Sequence, residues 1–168
     1  MKRLIKAYVL SLAMLMLVCG TAGADDFNAQ GSALVPGIEF GKHGGFSLSS
    51  ALYLSNITNE TIRCRVCFYD HDGNDMSSRI KIRSGSSASW QIILAAGTGE
   101  ADIPAHSTRI FSLETTNNEE YRIGHAYIQW SSSDPKPHKA LIGLLRNAGG
   151  NSIGLVSAHS QINNGQPF

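Results

Sequence analysis

With 14 lysines and arginines against 13 acids in 168 residues, the chain has a formal net charge of +1, so overall charge gives no reason to expect a nucleic-acid partner. Only 16% of the residues are charged, while glycine and serine are abundant, which suits a β-rich exported protein. The length allows one domain with a real core.

The chain opens MKRLIKAYVLSLAMLMLVCGTAGADD. Lys2, Arg3 and Lys6 form a basic start, an apolar run follows from Ala7 to Val18, and Ala22-Gly23-Ala24 has the small-x-small pattern of a signal-peptidase site. The run is well short of the roughly 20 residues that span a bilayer. Residues 1–24 therefore read as an export signal cleaved between Ala24 and Asp25, with no transmembrane span. Lipidation at Cys19 is the disfavoured alternative, because Val18 stands where a small residue is needed. Cleavage removes three basic residues and no acid, leaving 11 against 13 and a net charge of −2 on 144 residues. The expected destination is the periplasm, the medium or the cell surface of a bacterium.

Residues 25–49 are glycine-rich and predict one short strand at best. From position 50 short alternating runs recur, separated by turn residues. SALYLSN puts Leu52 and Leu54 on one face, and TIRCRVCFYD puts Ile62, Cys64, Val66 and Phe68 on one face. RIKIR turns Ile80 and Ile82 inward, with Arg79, Lys81 and Arg83 outward. Further strands are predicted at 89–94, 100–105, 108–114, 121–130, 139–145 and 152–160. Trp90 and Trp130 align with apolar neighbours, so both are expected in the core. Eight or nine short strands over 50–160 predict a single all-β, antiparallel β-sandwich of immunoglobulin-like type. Residues 161–168, INNGQPF at the end, are left as a tail outside it. An outer-membrane barrel is disfavoured by the polar approach to Phe168 and by an aromatic content of only 8%.

The most chemical-looking stretch is CRVCFYDHDGND, 64–75. On a strand, Cys64 and Cys67 lie about 10 Å apart on opposite faces, too far for a disulfide. Zinc lacks a second ligand pair. Calcium is disfavoured because Asp75 and Lys81 stand where a calcium-binding loop has glycine and glutamate. Asp72-Gly73 between alternating runs predicts a hairpin instead, with Gly73 left-handed, Cys64 opposite Ile80 and Ile62 opposite Ile82. That register sets Arg65 opposite Arg79 and Arg63 opposite Lys81, with Arg83 beside them. Like charges facing across strands repel. The five cations are either neutralised by nearby acids such as Glu60 or form an anion-binding face.

Other motifs carry less. Ser78…Lys81 and Ser133…Lys136 match a serine–lysine spacing without its partner motifs. The glycines at 41, 44 and 45 fit no phosphate loop. His125 shares the presumed outer face of its strand with Tyr127. The sequons at Asn56 and Asn59 matter only in a eukaryotic secretory pathway. No enzyme, cofactor or metal is expected.

LYLSNITNETIRCRVCFYDHDG, IPAHSTRIFSLE and GLVSAHS together resemble the sensory rhodopsin transducer-like, immunoglobulin-like β-sandwich family over about residues 46–160. The resemblance implies a compact, non-enzymatic and often oligomeric sandwich used for interaction or ligand binding. The export signal departs from that family's cytoplasmic setting, so rhodopsin signalling is not implied. The expectation is an exported binding protein for a protein partner or an anionic glycan such as lipopolysaccharide, with a homo-oligomer as a further option. The rival is a structural subunit or assembly factor of a surface appendage, exchanging residues 25–49 along a sheet edge.

Overall fold

Alternation at period two asks for extended backbone with one buried face, and the computed structural model of the chain is built that way. It describes residues 27–86, 88–89, 91–113, 115 and 120–168. The expected leader, Cys19, the junction of Ala24 with Asp25 and Trp90 lie outside the described residues.

Among the described residues ten strands follow in chain order: β1 (Gly31–His43), β2 (Phe46–Asn56), β3 (Ile62–Asp70), β4 (Ile80–Gly85), β5 (Gln91–Ala96), β6 (Glu100–Ile103), β7 (Thr108–Leu113), β8 (Tyr121–Ser132), β9 (Leu141–Gly150) and β10 (Leu155–Gln161). Single 3-10 turns stand at Ser77–Arg79 and Ile162–Gly165. The fold is all-β, and every strand pairing is antiparallel. Among the described residues no helix is long and apolar enough to cross a membrane.

The strands run in the order β5-β4-β7-β2-β1-β8-β3-β6, with β9 on the other margin of β2 and β10 beyond β9. One margin of β2 is divided, its first residues pairing β1 and Ala51–Ser55 pairing β7. Its opposite margin pairs β9 from Ser47 to Asn56. Inward residues from both runs of strands meet in one core around Trp130, Phe40, Phe68 and Phe111. Every inward residue expected from alternation in β2, β3 and β4 is fully buried: Leu52, Leu54, Ile62, Cys64, Val66, Phe68, Ile80 and Ile82. Each large apolar side chain so buried contributes about 1.5–3 kcal/mol.

Three expectations are corrected. The glycine-rich stretch is no loose segment: it makes β1, 13 residues long, between β2 and β8. Gly37 (φ 77°) absorbs a bulge where the β1–β8 register shifts between Pro36 and Ile38, so a glycine that reads as a breaker keeps a long strand paired. The tail is integral, because Ile162 and Phe168 are buried and Phe168 exchanges backbone hydrogen bonds with Leu141. The hairpin between β3 and β4 does not form. Gly73 is left-handed (φ 81°) as expected, and Asp70 and Asp72–Asn74 turn the chain, but the return meets β3 through just a Tyr69–Asp75 bridge, the Asp70 N–H on the Asn74 carbonyl and the Met76 N–H on the Phe68 carbonyl among the described residues. The 3-10 turn at Ser77–Arg79 then sends the chain away to pair with β5 and β7. The margins of β3 go to β8 and β6.

Candidate functional site

Loss of that hairpin scatters the five expected cations. Arg63 and Arg65 stay on β3, where pairing with β6 puts Glu100 opposite Arg65. The Glu100 carboxylate accepts from Arg63 (Nε 3.1 Å, Nη2 2.5 Å) and from Arg65 (Nε 2.6 Å). Partial burial pushes the Glu100 carboxyl up, but the two guanidiniums outweigh it and hold the group below its ordinary value. Arg65 also lies 4.7 Å from the Phe27 ring centroid, a cation–π contact. The neutralising acid is Glu100, which lies 35 residues beyond Arg65.

Arg79 belongs to a different cluster. Its Nη1 donates to Glu120 at 2.6 Å, and Arg122 donates to Glu120 (2.9 Å) and to Asp70 (2.6 Å). Asp70 is fully buried. Its oxygens accept from the Asn74 side chain and from the backbone N–H groups of Asn74 and Asp72. The Asn74 side chain leads the effects that bring the Asp70 carboxyl down to about 2. These acids are committed to protein donors, and among the described residues no three His, Cys, Asp or Glu side chains group as a metal set. The arrangement clamps the 70–75 turn to the start of β8.

Lys81 and Arg83 lie on β4, and Arg83 donates to the Ser112 hydroxyl. The five cations thus fall into three settings: a pair on Glu100, one on Glu120, and two on the outward face of β4. No one face gathers them.

The thiols are free. Cys64 faces the core beside Trp130 and Cys67 lies on the other face beside Tyr127, so the pair cannot bridge. Burial pushes the Cys64 thiol up, and burial with the nearby Asp75 charge does the same to Cys67. Neither environment favours a nucleophilic thiolate. Trp130 is in the core, while His125 stacks on Tyr69 with ring centroids 5.4 Å apart. The Asn56 side chain is buried and fully engaged. Its Nδ2 donates to the carbonyls of Glu60, Ile103 and Pro104, and its Oδ1 accepts from Thr58. That sequon is inaccessible in the folded chain.

The clearest unfilled capacity for interaction is an edge. Among the described residues β10 pairs only with β9, in unbroken register from Leu155–Gly150 to Gln161–Leu144. All seven residues, LVSAHSQ, are exposed, Leu155 and Val156 at 71% and 74%. The strand has no proline, no bulge and no lysine, arginine, aspartate or glutamate, the usual protections of an edge. Alternation alone does not find it, because an edge is defined by which strands pair.

No family model and no curated protein matches the chain. Among solved structures, "Crystal Structure of Thermotoga maritima 1070" is similar at 13% identity and a TM-score of 0.49, covering 83% of this chain and 99% of that one.

Proposed function

We propose that the chain is an exported, non-enzymatic β-sandwich of immunoglobulin-like build that binds a protein partner by accepting the partner's strand along β10. Two observations support the sandwich reading: the runs β1-β8-β3-β6 and β10-β9-β2-β7-β4-β5 join at β2, and they share one core. The binding mode rests on a single observation, the regular, uncharged and fully exposed β10 edge. An added strand satisfies the free N–H and C=O groups of such an edge, and alternate side chains supply selectivity.

The appendage reading, in which residues 25–49 exchange between subunits, has less support. Most of that stretch is β1, which lies inside the sheet and pairs β8 over nearly its whole length.

The experiment places a photo-crosslinking amino acid at Ala158 on β10, or at Asp102 on β6, in the full chain made in an exporting bacterium. A discrete protein adduct at Ala158, absent at Asp102 and abolished by Val156→Lys, is the expected result. No adduct at Ala158, or equal adducts at both positions, overturns strand addition. Intact mass of the recovered protein checks export, with Asp25 expected as its first residue.

A further inference from the structure

A second grouping of cations, which takes in Lys81 and Arg83 of the expected five, borders the outward side of β2, β7 and β9. Along β2 the inward Leu52 and Leu54 alternate with outward Ser47, Ser49, Ala51 and Tyr53. Pairing carries one row across four strands, Lys81–Ser112–Ala51–Arg146, so a cation stands at each end. Lys42 stands opposite Ser47 in the β1–β2 hairpin. These rows bound a cleft of about 430 Å³ whose lining includes Lys42, Arg83 and Arg146 among Ser47, Ser49 and Thr115. Among the described residues no carboxylate lines it, and neither Lys42 nor Arg146 makes an ion pair. Arg146 is half-buried, which strengthens its attraction for an anion relative to a fully solvated side chain.

Spacing decides the class of ligand. Lys42 and Arg146 pair with β2 residues four positions apart, which is roughly 13 Å along the strand. That backbone separation is wider than a single phosphate and matches a chain that carries repeated acidic groups. The floor between them carries hydroxyls, and Tyr53 is the one aromatic among the described lining residues, so a row of stacked bases has no platform. We propose that this cleft binds an extended acidic polysaccharide, with carboxylate or sulfate groups on Lys42 and Arg146 and sugar hydroxyls on the serine floor. The site is separate from strand addition at β10 and stands or falls without it.

Calorimetry of the mature full-length protein tests the proposal, using oligogalacturonates and heparin oligosaccharides of graded length. Neutral dextran, inorganic phosphate and single-stranded DNA serve as comparisons. Binding is expected only to the acidic oligosaccharides, tightening with length and weakening with salt as counterions are released. Lys42→Gln and Arg146→Gln should each weaken binding about fivefold, while Lys139→Gln, an equal loss of charge outside the cleft, leaves it unchanged. No binding, phosphate or DNA binding as tightly, or an equal loss in Lys139→Gln overturns the proposal.

Discussion

Two edges of the same sheet are treated in opposite ways. β6 is four residues long and carries Glu100 and Asp102, and Glu100 is gripped by two arginines of the neighbouring strand. Its last carbonyl, on Ile103, accepts from the buried Asn56 side chain. β10 is nearly twice as long and carries no formal charge, and no such grip closes it. Short length and fixed charge make an edge a poor template for another chain, whereas a long, regular, neutral edge is a good one. The comparison teaches that side-chain bonds at β6 serve stability, and that the exposed backbone of β10 is available for association.

Substitutions at the two edges should therefore separate stability from binding. The largest loss is expected for Asn56→Ala, which removes the side-chain donor from the buried Ile103 carbonyl and empties a buried site, and should cost about 2–3 kcal/mol in urea unfolding. Glu100→Gln removes the carboxylate that Arg63 and Arg65 share. It should cost about 1–2 kcal/mol, and a double-mutant cycle with Arg65→Gln should show coupling between the two sites. Acid tests the clamp behind the 70–75 turn. Asp70 titrates near 2 when folded and about 3.9 when unfolded, so its contribution is complete above about pH 4 and fades as pH falls toward 2. The urea midpoint should drop over that window in the parent and drop less in Asp70→Asn. The smallest change in stability belongs to Val156→Lys on β10, within about 0.5 kcal/mol of the parent because the side chain is already exposed. If that substitution destabilises the protein as much as Glu100→Gln does, β10 is a structural edge like β6 and the contrast fails.

Buried faces were legible in the sequence, and strand neighbours were not. Alternation picked out Ile62, Cys64, Val66 and Phe68 because a one-residue slip would turn all four to solvent. The same logic found Ile80, Ile82 and the Trp130 face of β8. It said nothing about partners. Asp72-Gly73 does make its turn, but local turn chemistry cannot show that Ser77–Arg79 will redirect the chain, or that Glu100 will arrive beside Arg65. β1 was hidden for a related reason. Its glycines answer tertiary demands: Gly37 holds the bulge, and Gly41 leaves room for the Glu120 carbonyl, 2.0 Å from where a Cβ would stand. The cationic cleft was hidden because Lys42, Arg83 and Arg146 come from three distant segments.

The divided margin of β2 makes it the molecule's junction. At the fork the Ser50 hydroxyl accepts the Glu39 N–H at 2.8 Å and lies 2.6 Å from Asn147 Oδ1, stitching β1, β2 and β9 together where neighbours change. With β2 withdrawn, β9 loses its link to β7, and β1 loses its link to both. A cut in the β1–β2 turn would therefore put β1 on a different fragment from β2 and β8, the rails on its two margins.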